Sequence, residues 1–231
     1  MDAHARNAIA EIASVEDVIP RGHMGTLWGG YGQLHRVELV GESCAPAVVK
    51  WVSPPPNLRR TGGVSHKRKC RSYDVEIAFY QTFAPRCDDA CRVPRLLGAR
   101  AANDTWIVVL EDLDAAGYDA RIRGRDVRAL GACVAWLAAF HARFVHERPL
   151  GLWPQGTYWH LGTRQEELGR MRDKDLQRAA PTLDRALRGA TFRTLVHGDA
   201  KPDNFCLDQR AARVAAVDFQ YVGGGVGVQD L

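Results

Sequence analysis

The chain has 231 residues, of which 46% are hydrophobic and 25% charged, and a net charge of +4. That composition supplies apolar material for one or two globular domains and excludes a disordered tail, a collagen-like fibre and a small disulfide scaffold. The small positive surplus does not make a nucleic-acid-binding stripe, no apolar run is long enough for a membrane helix, and the first residues lack a signal-peptide pattern. A cytoplasmic protein with no nucleic-acid or membrane partner is expected. Its cysteines, at 44, 70, 87, 91, 133 and 206, are scattered. Only Cys87 and Cys91 are close, and no second pair or nearby His completes a zinc site, so reduced thiols are expected.

In chain order, residues 7–18 read as a short helix. Gly22, Gly25, Gly29, Gly30 and Gly32 then crowd into one turn region. Residues 34–39 alternate apolar and polar, as a half-buried strand does. Residues 47–52 form a second strand, stopped by Pro54, Pro55 and Pro56, since proline gives no donor to a sheet. Arg59, Arg60, Lys67, Arg68 and Lys69 make the next stretch a basic loop over 61–68. Residues 69–84 read as a helix and 106–110 as a strand. Over 126–146 a long helix is predicted, because Val127, Leu130, Val134, Leu137, His141 and Phe144 recur every three or four positions. Residues 163–189 are polar and helical with a break at Pro181. Two short apolar runs, 194–196 and 214–217, follow. A strand-rich part, 1–113, ahead of a helix-rich part, 114–231, predicts a two-lobed α+β fold.

The chemistry concentrates after each short run. The first cluster is His197-Gly198-Asp199-Ala200-Lys201-Pro202-Asp203-Asn204, and the second is Val217-Asp218-Phe219-Gln220. Phosphoryl transfer from a nucleotide needs a carboxylate to orient the attacking hydroxyl. It also needs a carboxylate and a neutral oxygen to hold Mg²⁺ against the phosphates. Asp199, Asp218 and Asn204 are those residue types.

H-G-D-x-x-x-x-N followed by D-F-x resembles the aminoglycoside phosphotransferase and choline kinase group, which shares the protein-kinase-like fold. The run DFQYVGGGVGVQDL is similar to its ecdysteroid-kinase-like branch. Gly198 stands where protein kinases carry arginine in H-R-D-x-x-x-x-N, and no A-P-E follows Asp218, so a small-molecule kinase is implied. The resemblance implies ATP and Mg²⁺ as cofactors and an alcohol as acceptor. Residues 1–113 become a nucleotide-binding lobe and 114–231 a catalytic lobe that lacks its last helices.

Within that resemblance Lys50 is similar to the kinase strand lysine on the phosphates. Glu76, on one helical stripe with Tyr73, Tyr80 and Phe83, is its partner, because an unpaired buried charge is costly. Glu111 to Leu113 matches the hinge that pairs with adenine, and Gly29 and Gly30 belong to the turn over the phosphates. Asn204 and Asp218 would hold Mg²⁺, Asp199 would take the acceptor proton, Lys201 would touch the γ-phosphate, and His197 would brace the loop. Taken singly, each has a plainer reading: Gly29 and Gly30 a hairpin, Lys50 an edge-strand lysine, Glu76 a solvated helix residue. Asp112, Asp114 and Asp119 are either a site for a cationic acceptor or a solvated acidic loop.

The chain stops thirteen residues after Asp218, whereas members of the resembled family continue through further helices. An uncovered catalytic lobe is therefore expected to self-associate. Two rival readings remain: a nucleotide-binding pseudokinase or inactive remnant, and a metal-dependent phosphohydrolase using His197, Asp199, Asp203 and Asp218.

Overall fold

The computed structural model describes residues 1–42, 44–56, 63–123, 126–210 and 212–231. Arg59 and Arg60 of the expected basic loop lie outside the described residues. The first helix, α1 (Ala3–Ala13), starts earlier than its apolar pattern because Asp2 caps it, its carboxylate accepting the Ala5 N–H at 2.8 Å. It ends at Ser14, whose backbone turns left-handed (φ 55°), so residues 15–18 lead into a strand instead of extending the helix.

Five antiparallel strands form one sheet, β1 (Asp17–Thr26), β2 (Gly32–Val40), β3 (Ala45–Val52), β4 (Leu96–Ala102) and β5 (Thr105–Glu111), in the order β1-β2-β3-β5-β4. The strands read from the sequence, β2, β3 and β5, are the three central ones. Both edges escape the pattern search. β1 buries only Val18, and its Pro20 and two glycines blur any alternation. β4 contains no β-branched residue. Gly32 admits the neighbouring strand, for a Cβ there would lie 2.1 Å from the Trp51 carbonyl oxygen. One face of the sheet buries Val37, Val49 and Val109 against Ile9 of α1.

On the other face lies α2 (Val64–Thr82). It takes in residues 64–68, read above as loop, because its first two turns are polar and carry no apolar period. Its inner stripe is Tyr73, Glu76, Phe79 and Tyr80, all buried. The long helix α3 (Val127–Arg143) is capped by Asp126, which accepts the N–H groups of Arg128 and Ala129. The polar stretch beyond it is two helices, α4 (Gln165–Arg170) and α5 (Lys174–Arg188). Pro181 sits inside α5; the break falls at residues 171–173, where Asp173 caps a new helix.

Short strands deliver the two clusters. In one small sheet β6 (Ala120–Arg121) pairs with β8 (Phe205–Asp208), which pairs with β9 (Arg213–Ala216); in the other, β7 (Thr194–Val196) pairs with β10 (Gly223–Gly225). Residues 197–204 connect β7 to β8, and residues 217–222 connect β9 to β10. An aromatic core binds these loops to the helices. Phe79 of α2 stacks on Phe219 with ring centroids 3.8 Å apart, and Trp136 and Phe140 of α3 pack around it. The architecture is the expected two-lobed α+β fold, a sheet lobe joined to a helical lobe after β5.

Candidate active site

Lys50 lies in the centre of the sheet, with Leu34 of β2 on one side and Val108 of β5 on the other. Its side chain is buried, so the charge needs partners. It finds two. The ammonium donates to both oxygens of Glu76 (2.9 and 2.7 Å) and to Oδ1 of Asp218 (3.0 Å). Glu76 is 2% exposed and Asp218 keeps 36% of its side chain open. Burial works against the Lys50 charge, but Asp218 and Glu76 outweigh it and raise its pKa. Burial would likewise lift the Asp218 carboxyl, yet Lys50, with Lys69 behind it, holds it below the usual carboxylate range. Asp218 has φ 68°, a left-handed backbone held in place by the stacked Phe219 beside it.

A second chain of bonds runs behind Asp218. Gln220 donates from Nε2 to Asp218 Oδ1 (2.7 Å), and its Oε1 accepts from Lys69 Nζ (2.8 Å) and Ser72 Oγ (3.2 Å). Lys69 belongs to α2, two turns before Glu76, so it is not part of a solvated loop.

The loop carrying Asp199 is fixed from beneath. His197 is fully buried, which pushes its imidazole below its ordinary pKa. Its Nε2–H donates to the Val217 carbonyl (3.0 Å), and its Nδ1 accepts the Asp199 N–H (3.3 Å). These partners assign the neutral tautomer with the proton on Nε2. Gly198 has φ 84°, and a Cβ there would meet the Tyr221 carbonyl oxygen at 2.1 Å, so the arginine of H-R-D cannot stand here. Asp230 holds the same loop from the other side. Its buried carboxylate accepts the N–H of His197 (2.7 Å) and of Gly198 (2.8 Å), and meets His141 Nε2 at 2.9 Å.

Asp199 is 25% exposed. Its Oδ2 accepts from Lys201 Nζ (2.8 Å) and from Asn204 Nδ2 (3.1 Å). Asn204 also donates to the Asp199 carbonyl (2.8 Å), so its amide orientation is set and Oδ1 faces away from these bonds. Lys201 is folded onto Asp199 and half exposed.

A cavity of about 290 Å³ lies between the lobes, lined by Lys50, Glu76, Glu111, Leu113, Asn204 and Asp218 among others. Leu34, Val48, Leu110 and Val217 supply apolar walls. Gly29 and Gly30, both with left-handed φ of 71°, stand in the turn beyond β1, and Met24 and Leu27 are among the residues that line the cavity. Glu111 lines the cavity with its side chain already paired. Its carboxylate grips Arg92 (2.6 Å) and accepts the Arg95 N–H, and its own N–H goes to the Arg95 carbonyl. The Leu113 N–H, by contrast, has no partner among the described residues.

The sequence reading assigns no role to Asp230, Gln220 or Arg36. Arg36 of β2 pairs with Asp112 (2.6 Å) and Asp114 (2.5 Å) just after β5, and Arg121 also takes Asp114 (2.7 Å). These acids are therefore not a free site for a cationic acceptor. The only sequence signal for Asp230 is an acid after a glycine-rich apolar run. Nothing in a linear pattern pairs it with residues more than thirty positions earlier.

A phosphotransferase enzyme family profile matches residues 63–231. No curated protein matches the sequence. Among solved structures, the chain is similar to a thermostable mutant of aminoglycoside phosphotransferase APH(4)-Ia, a ternary complex with ADP and hygromycin B. The TM-score is 0.52 at 12% identity, covering 91% of this chain and 70% of that one. This likeness identifies the fold as protein-kinase-like.

Proposed function

The chain belongs to the phosphotransferase enzyme family, and from that premise we propose that it moves the γ-phosphate of ATP to a hydroxyl of a small molecule. One observation carries the reading: Lys50, Glu76, Asn204 and Asp218 converge on a single interlobe cavity. The solved neighbour that holds ADP and hygromycin B supports a nucleotide and a small-molecule acceptor.

In this reading residues 1–113 bind the nucleotide and 114–231 carry the catalytic loop. The unpartnered N–H of Leu113 meets the adenine edge. Lys50, aligned by Glu76, lies against the phosphates. Asp218 and Asn204 offer hard oxygen ligands, the donor type Mg²⁺ prefers. Of these, Oδ2 of Asp218 and Oδ1 of Asn204 make no hydrogen bond among the described residues, so the pair fits that ion. Bound there, Mg²⁺ would neutralise charge on the phosphates. Asp199 receives the acceptor hydroxyl on its open Oδ1 and takes the proton late, since a carboxylate is too weak a base to remove it early. Most of the rate then comes from alignment and charge stabilisation. Lys201, now paired with Asp199, turns to the γ-phosphate when that group arrives.

The phosphohydrolase reading loses its histidine ligand, because both ring nitrogens of His197 are engaged inside the protein. The pseudokinase reading is separated by experiment. Calorimetry should detect Mg²⁺-dependent ATP binding that Asp218→Ala weakens. Asp199→Ala should bind ATP as the parent does while turnover falls by about 10²–10⁴-fold. Near-full activity in Asp199→Ala would refute the assignment, and ATP binding without acceptor-dependent ADP release would favour the pseudokinase.

A further inference from the structure

Next to Asp199 the described residues build a wall of aromatic rings and guanidinium groups. The Tyr221 ring meets that of Tyr158 at 4.8 Å, and the Tyr221 carbonyl accepts the Thr157 N–H (3.0 Å). The Tyr158 N–H donates to the Gly198 carbonyl (2.9 Å), which fastens this segment to the catalytic loop. Two guanidinium groups share the Tyr158 ring, Arg164 at 4.5 Å and Arg68 at 5.5 Å from its centroid. Arg164 also covers the Trp159 ring at 3.9 Å. Trp159 and Arg164 also line a cavity of about 510 Å³, together with His160, Leu168, Leu176 and Leu183.

The charges along this wall are unevenly matched. Glu167 is taken by Arg164 (3.2 Å) and Asp184 by Arg188 (2.5 Å). Arg68 has no carboxylate partner among the described residues; it donates to the Tyr158 carbonyl (3.2 Å). Lys69 donates to the neutral Gln220 amide and lies over the Tyr73 ring, 5.2 Å from its centroid, with no carboxylate in salt-bridge contact among the described residues. Arg164 Nε and His160 Nδ1 are buried and have no hydrogen-bond partner among the described residues. Arg68 thus brings a guanidinium with no counter-charge among the described residues beside Arg164, and planar guanidinium donors match an anionic group such as a carboxylate. The acids just after β5, Asp112 and Asp114, are paired with Arg36 and Arg121.

We propose that the acceptor is an alcohol that carries an anionic group on a flat, apolar body. The rings of Tyr158, Trp159 and Tyr221 receive the body, Arg164 and Arg68 receive the anion, and the hydroxyl is presented to Asp199. This rests on the phosphotransferase reading above. The acceptor oxygen bonds to the γ-phosphorus, and the bond from that phosphorus to the bridging oxygen breaks. ADP leaves with that electron pair, and the hydroxyl proton passes to Asp199.

Three matched primary alcohols test it: 4-(hydroxymethyl)benzoate, benzyl alcohol and 4-(aminomethyl)benzyl alcohol. Binding is read by quenching of tryptophan fluorescence without nucleotide, and transfer by ADP release. The anionic probe should exceed the other two by about tenfold or more in both affinity and kcat/KM. Arg164→Ala should erase that preference, Arg164→Lys should keep part of it, and Mg-ATP affinity should stay unchanged in both. Equal or better use of the neutral or cationic probe, or no binding of any probe by a folded chain that binds Mg-ATP, overturns the proposal. The two readings fail separately, because fluorescence reports charge preference without ATP and calorimetry reports ATP without an acceptor.

Discussion

Asp230 joins three segments with one carboxylate. It takes two backbone N–H groups of the Asp199 loop and the imidazole of His141, all away from solvent. A buried donor that loses its acceptor costs about 1–3 kcal/mol. Asp230→Ala leaves two such backbone donors, so chemical denaturation should show a loss of about 2–6 kcal/mol. Turnover should fall as well, because the Asp199 backbone would no longer be held. Asp230→Asn keeps the shape and one acceptor oxygen, and should lose less of both. Equal stability and kcat in Asp230→Ala and the parent would show that the carboxylate does not position this loop.

Among the elements, α2 matters most to the site. A single helical stripe carries Glu76 to Lys50 and Phe79 to Phe219, so the ion pair and the Asp218 backbone share one support. Phe79 is fully buried between Tyr80, Phe83, Phe140 and Phe219. Phe79→Ala should cost about 3–5 kcal/mol, the range for deleting a buried aromatic ring. Its nucleotide affinity should also drop, because the cavity left beside Phe219 releases Asp218 from its left-handed backbone. Calorimetry on the folded fraction separates the two effects; a variant that is destabilised yet binds Mg-ATP as tightly as the parent would break the proposed link. The Lys50–Glu76 pair was legible because an acid sat in phase with Tyr73, Tyr80 and Phe83. The start of α2 was not, because residues 64–68 owe their helical state to the packing of later turns.

Across the molecule, stability depends on which groups folding keeps uncharged. Burial holds His197 and His160 below their ordinary pKa, with Arg68 adding to the effect at His160. When the pH falls below about 6.5, the unfolded chain takes up these protons before the folded one does. Stability should therefore decline from there down to the lowered folded values. Asp218 acts at lower pH. Its depressed pKa contributes stability above the ordinary carboxylate range, which is lost as the pH falls through its folded value. Denaturant midpoints measured at about pH 7.5 and about pH 5.5 should show the lower value at the acid end. A midpoint unchanged or higher at the lower pH would contradict the sign.

The sequence by itself determined the two-lobed α+β fold, the central strands and the identity of the two polar clusters. Those features are local: alternation marks a half-buried strand, helical spacing marks a buried face, and a motif is read within a few residues. Tertiary structure decided the rest. It made β1 and β4 into strands, because an edge is recruited by its neighbour's hydrogen bonds and not by its own pattern. It brought Met24 and Leu27 to the cavity's lining. It placed Asp230 under Gly198, Gln220 between Lys69 and Asp218, and Arg36 across Asp112 and Asp114. Each of these contacts joins residues far apart in the chain, where no periodicity relates them and only the packed fold sets the distance.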